Sequence, residues 1–150
     1  MISSDEIVAI TQNVMGTMFE LCPMTDESHT ELLEGAEAFT GCVQISGQWK
    51  GAVVLQGTPE LAKIIAAHFF ELTADDVTEA DIRDSVAELT NMVGGNIKGQ
   101  VPAPSYLSIP SVTTGSDFSF HLAGASVISE VVVTCEGQLM RIRLCEANEA

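Results

Sequence analysis

Asp84, Glu88 and Asn91 stand at i, i+4 and i+7, a spacing that brings two carboxylates and a carboxamide to one side of a helix. A carboxylate pairs with a cation. An amide both donates and accepts hydrogen bonds, so it can hold a water molecule in one orientation. Neither group breaks a bond unaided, so the trio needs a substrate that brings its own chemistry. A covalent nucleophile is not predicted. Ser85, Ser105 and the cysteines have no histidine placed to activate them, and His29, His68 and His121 are scattered along the chain. His68 reads as a packed or edge histidine of an amphipathic segment. Cys22, Cys42, Cys135 and Cys145 form no C-x-x-C pair and lack a histidine at metal-ligand spacing, so they read as buried thiols and no metal site is predicted.

The trio must be positioned by a long helix. Thr78 followed by Asp81 resembles a capping box and opens a helical pattern running to about Lys98. At roughly 100 degrees per residue, Ile82, Val86, Leu89, Val93 and Ile97 fall within about 80 degrees and form the core-facing stripe. Asp84, Glu88, Asn91 and Gly95 then share an exposed polar ridge about 60 degrees wide on the far side. Each glycine of Gly94-Gly95 costs the helix about 1 kcal/mol relative to alanine. Gly95 lies on the ridge, where a missing side chain lets another backbone or loop come close. The plain alternative is a solvated helix face with a fraying end.

Around this helix the chain alternates between helical and extended patterns. Ser4 to Phe19 places Ile7, Ile10, Val14 and Met18 at helical spacing, with Ser4 as N-cap. Pro23 and the polar run from Thr25 to Thr30 interrupt it. Phe39 to Ser46 alternates as a strand, and Gly47 to Gly51 turns the chain into a buried partner strand over 52–55. Trp49 in that turn fits an interface anchor or core packing equally. Thr58-Pro59-Glu60 starts a second helix with Leu61, Ile64, Ile65 and Phe69 on its apolar face, ending near Glu71. Later strands are predicted over 106–113, 117–121, 127–133 and 139–144, the last with Met140, Ile142 and Leu144 inward and Arg141 and Arg143 outward. The blocks predict an α+β layered fold, a mainly antiparallel sheet packed against helices. A faint internal pseudo-repeat accompanies it: Asn13-Val14-Met15-Gly16 is answered by Asn91-Met92-Val93-Gly94, and Gly47-Gln48 by Gly137-Gln138. The offsets differ, so the second half needs an insertion, which 106–119 can supply.

With 150 residues the chain is predicted to be a single domain, 1–150, with one core. A formal net charge of −15, with six Lys and Arg in all, argues against a nucleic-acid or anionic-lipid partner and fits a protein partner or a cationic surface better, although acidity alone often serves only to keep a protein soluble, the plainer reading here. There is no uninterrupted run of 18 apolar residues, so no membrane insertion is predicted. The N-terminus has neither the basic nor the apolar region of an export signal, which predicts a cytoplasmic protein.

Asp84-x3-Glu88-x2-Asn91 resembles the D/S-x3-E-x2-N signature of the CheC/CheX/FliY phosphatase family, and Gly94-Gly95-Asn96-Ile97-Lys98-Gly99 looks like that family's helix continuation. The resemblance spans essentially the whole chain but is sharp only from Thr78 to Gly99. The family pattern closes on a proline; here Pro110 follows Asn91 after 18 residues, sooner than the pattern places it, which implies a shortened loop and an altered rim around the site. The equivalent positions of the first repeat are Glu6, Ile10 and Asn13, so the acid position is apolar and the chain looks similar to single-site CheX. The resemblance implies an aspartyl-phosphate phosphatase acting on a phosphorylated CheY-like receiver domain, with the Mg2+ carried by that receiver and no cofactor in this chain. It implies that Asn91 orients the attacking water and that Glu88 anchors the receiver's lysine. Asp84 and Gly95 become partner-binding positions, and a homodimer joined at sheet edges is expected. The competing reading is a docking module of the same fold that binds a receiver or another signalling protein without hydrolysis.

Overall fold

A computed structural model describes residues 2–26 and 34–148. The polar run predicted after Pro23 lies, from residue 27 onward, outside the described residues. Among the described residues, three α-helices, α1 (Ser4–Phe19), α2 (Pro59–Phe70) and α3 (Glu79–Lys98), pack on one face of a seven-stranded antiparallel sheet. The strands are β1 (Met24–Thr25), β2 (Glu37–Gly47), β3 (Gly51–Gly57), β4 (Ser105–Leu107), β5 (Ser111–Asp117), β6 (Ala125–Cys135) and β7 (Gln138–Ala147). Their order is β1-β6-β7-β3-β2-β4, with β5 also pairing β2.

This is the α+β layered architecture that the sequence predicts. The helix starts follow local chemistry. Ser3 and Thr78 each accept from the backbone three residues on, and the side chains of Glu6 and Asp81 close the two capping boxes. Thr58 caps α2, with proline at its first position. The N-cap of α1 is thus Ser3 rather than the predicted Ser4, because Glu6 is correctly spaced to answer it. The core joins Val14, Met15 and Phe19 of α1 and Leu61 and Ile65 of α2 to Val86, Leu89, Val93 and Ile97 of α3 and to the inward residues of the strands.

The pseudo-repeat becomes visible as topology. Each half runs helix, short edge strand, hairpin: α1-β1-β2-β3, then α3-β4/β5-β6-β7. Each half lends its edge strand to the other half's hairpin, since β1 pairs β6 while β4 and β5 pair β2. The two hairpins meet along β3 and β7 in the middle of the sheet.

Three details differ from expectation. First, 117–121 is not a strand. Asp117 Oδ1 accepts from the backbone and the hydroxyl of Ser119, both at 2.6 Å, and turns the chain, so β5 ends there. Phe118 then covers the sheet face opposite the helices. Second, Arg141 does lie on that far face, but it is buried under this segment instead of solvated. Its guanidinium donates to Gln56 Oε1 at 2.6 Å and to the Phe118 carbonyl, pairs with Glu34 at 3.6 Å and lies 5.6 Å from the Phe118 ring centroid. Third, the cysteines are not uniformly buried. Cys22 is exposed and Cys42 half-buried, while Cys135 is enclosed and burial pushes its thiol up to about 11. Trp49 resolves to core packing, with Nε1 donating to Glu146 at 2.8 Å. Of the two readings of His68, packed or edge, the structure shows the edge one: it is exposed, with Nδ1 3.0 Å from the Phe19 carbonyl oxygen.

The seat of α3 depends on glycine. A Cβ on Gly41 of β2 would stand 2.1 Å from Thr90 Oγ1, and one on Gly94 would stand 2.4 Å from Val43 Cγ2, so helix and strand approach closely at both points. The close approach inside the molecule therefore falls at Gly94. A Cβ on Gly95 would meet only Leu107 Cδ2, at 3.9 Å, an ordinary contact. Gly94→Ala is expected to lose about 1–3 kcal/mol of stability through overpacking, whereas Gly95→Ala should gain about 0.5–1 kcal/mol from helix propensity. Urea unfolding of the two variants reads the difference in sign.

Candidate functional site

The trio occupies the outer flank of α3, and the fold builds an opposing wall from a distant part of the chain. β4 and β5 run as one interrupted edge strand along β2: Leu107 faces Ile45 and Ser111 faces Cys42, so three residues, 108–110, lie opposite two. This is a bulge. Ser108 fixes it, its N–H donating to the Gln44 carbonyl at 2.9 Å while its hydroxyl accepts the Gln44 N–H at 2.8 Å. That hydroxyl donates in turn to the Ile109 carbonyl at 3.0 Å. Pro110 has no N–H to offer a ladder, which is why the pairing breaks here.

Between the bulge and α3 lies a cleft of about 400 Å³, lined on one side by Asp84, Ala87, Glu88 and Asn91 and on the other by Leu107, Ser108, Ile109 and Pro110. Asp84 is exposed, whereas Glu88 and Asn91 are half-buried by the opposite wall. Gly95, one turn beyond Asn91, is half-buried against Leu107. The predicted ridge is therefore one wall of a cleft rather than a bare surface. Among the described residues, the side chains of Asp84, Glu88 and Asn91 have no hydrogen-bond or ion-pair partner. Asn96, one turn along the helix and off this wall, instead spends its amide on the Met92 carbonyl at 2.8 Å.

The wall is rigid. The capping box holds the start of α3, and Lys98 Nζ at its end donates to the Ser105 carbonyl at 3.4 Å, tying the helix to the first residue of β4, the strand that leads into the opposite wall. Val86, Leu89 and Val93, fully enclosed, fix the helix rotation and with it the direction of Glu88 and Asn91. Such an arrangement offers a carboxylate beside a donor–acceptor amide on a firmly seated helix, neither engaged by an internal partner. A second depression, of about 250 Å³, sits on the far face beside Lys50 and 122–125, and its lining has no acid or paired carboxylate and amide. Among the described residues, no group of three or more His, Cys, Asp or Glu side chains is placed to hold a metal ion, and no helix is long and apolar enough to cross a membrane.

Sequence reading placed the α3 wall and missed Leu107, Ser108 and Ile109, because 106–113 reads as one strand. The signal was Pro110, which a paired strand interior does not accept.

A family model described as Chemotaxis phosphatase CheX matches residues 39–135. Among solved structures, the fold is similar to CheX from Vibrio vulnificus, with a TM-score of 0.75 at 20% identity over 94% of this chain and 93% of that one. It is similar to CheX from Desulfovibrio desulfuricans, with a TM-score of 0.72 at 20% identity over 95% and 97%. A crystal structure of the CheX-CheY-BeF3-Mg2+ complex from Borrelia burgdorferi matches with a TM-score of 0.65 at 16% identity over 99% and 100%. Among curated protein sequences there is no match.

Proposed function

The chain belongs to the chemotaxis phosphatase CheX family, and from that premise we propose that it hydrolyses the aspartyl phosphate of a CheY-like receiver domain in the cleft between α3 and the bulged edge strand. The observation that carries this reading is the pairing of Glu88 and Asn91, both without an internal partner, on one rigid wall of that cleft. The choice of partner draws on the Borrelia relative, whose complex contains CheY, BeF3 and Mg2+.

In this reading the receiver enters with its phosphorylated aspartate and its own Mg2+. Asn91 accepts from and donates to the attacking water, aligning it with the phosphorus opposite the aspartyl oxygen. The new P–O bond forms as the P–O bond to the aspartate breaks, giving a free carboxylate and inorganic phosphate, with the protons of water passing to phosphate oxygen and solvent. A loose transition state of this kind needs few covalent partners, so positioning and fixed charge supply most of the acceleration. Glu88 pairs with the receiver's lysine and fixes the register. Asp84, exposed at the cleft mouth, extends the acidic wall toward the partner, and Gly95 leaves room for a partner loop.

A homodimer belongs to the same proposal. The half of β6 not covered by β1 carries exposed Val127 and Ile128, at the end of the sheet opposite the cleft, so joining two copies there leaves both clefts open.

The test uses substrate dependence. With a twentieth equivalent of this chain, phosphate release is measured from a phosphorylated receiver and from acetyl phosphate. Acceleration is expected for the receiver alone, because the receiver must supply lysine and metal; acceleration of both, or of neither, overturns the proposal.

A further inference from the structure

Ile109 is 89% exposed, although it is one of the most apolar residue types, and it stands on the cleft wall facing Glu88 and Asn91. A single exposed apolar residue is ordinary on a protein surface; Ile109 is set apart by its place on the cleft wall, where a docked partner covers it and gains the free energy of burying it. Its presentation is rigid. Ser108 pins the preceding residue to Gln44 and bonds the Ile109 carbonyl, and Pro110 restricts Ile109 to extended backbone. A side chain carried on a pinned backbone needs no loop ordering on contact, which is the property of an anchor.

Two occupants compete for it: a second copy of this chain, adding to the free edge, or the receiver. The edge itself favours the receiver. At 108–110 the ladder is bulged and Pro110 lacks an N–H, two features that blunt an edge against strand addition. The cleft also has Ile109 and Asn91 on facing walls, so a phosphoryl group delivered to Asn91 brings the surface around it against Ile109.

Resting on the proposed function, we infer that Ile109 is a specificity-determining anchor that docks onto apolar surface bordering the receiver's acidic pocket, setting affinity without taking part in hydrolysis. Burying an isoleucine of this exposure predicts a roughly ten- to hundredfold effect on binding when it is truncated.

The experiment compares wild type, Ile109→Ala and Ile109→Leu with a phosphorylated receiver over a range of receiver concentrations, alongside sedimentation of the chain alone. The expected result is a KM raised roughly ten- to hundredfold for Ile109→Ala, with kcat within about twofold and substantial recovery in Ile109→Leu. An unchanged KM with wild-type activity intact overturns the inference and leaves the phosphatase reading standing. A change of oligomeric state in Ile109→Ala assigns the residue to a second copy and overturns it as well. If wild type neither accelerates decay nor binds the beryllofluoride-loaded receiver, the phosphatase reading fails first and the anchor role falls with it.

Discussion

Asn91→Ala is expected to reduce the acceleration of receiver dephosphorylation by about 10² to 10³ while leaving the affinity for a beryllofluoride-loaded receiver within about threefold. The size follows from what the amide does. An in-line water held at a fixed wall replaces a search over orientations, and removing one such positioned donor–acceptor forfeits a large part of that advantage. The variant should fold normally. Asn91 makes no internal hydrogen bond, it is half-buried on the outer flank of α3, and alanine is a better helix former than asparagine. Asn91→Asp is the sharper control: it keeps the shape but replaces the donor with an anion beside Glu88, so it should be as inactive as alanine and bind an anionic phosphoryl group less well. Stopped-flow decay at saturating protein, with affinity measured separately, checks both variants.

Glu88→Ala is expected to act on binding. Docking partly desolvates the pair it forms with the receiver's lysine, and losing one partner of such a pair costs about 2–5 kcal/mol, or at least about thirtyfold in affinity. The half-burial of Glu88 puts it in the range where the effect is large. Asp84 on the same wall is exposed, so Asp84→Ala should cost less than about 1 kcal/mol. Glu88→Gln separates charge from shape and should lose nearly as much as alanine. Titration at two salt concentrations provides the second readout, because an exposed rim charge is screened and a half-buried one much less so. Equal losses for Glu88→Ala and Asp84→Ala would count against the anchor role.

The placement of these two residues on one face of α3 was legible in the sequence because everything that orients that face is local. The capping box at Thr78 starts the helix, the stripe from Ile82 to Ile97 fixes its rotation, and the opposite face follows by geometry. The opposing wall was not legible in the same way. Whether 106–113 is one strand or two depends on how it registers against β2, a pairing across some 60 residues, and periodicity is silent about that. Pro110 was the one local clue. The same limit hid β1: two residues carry no period, and their partner β6 lies more than 100 residues away. It also explains Arg141. Alternation correctly set it on the face opposite Met140 and Ile142, but only the turn at Asp117, which folds Phe118 over that face, turns an outward arginine into a buried one. The split between Gly94 and Gly95 belongs to the same class, since which glycine is required depends on Val43 of a strand 50 residues earlier.

A phosphatase cleft turns over phosphorylated receiver, whereas a docking cleft merely holds it. The most direct measurement is the decay of a phosphorylated CheY-like receiver present in tenfold excess over this chain, followed until all label is released. Accelerated decay through the whole excess is expected, with the acceleration lost in Asn91→Ala. Binding of the loaded receiver with decay at its own intrinsic rate would overturn the phosphatase reading and make the protein a docking module.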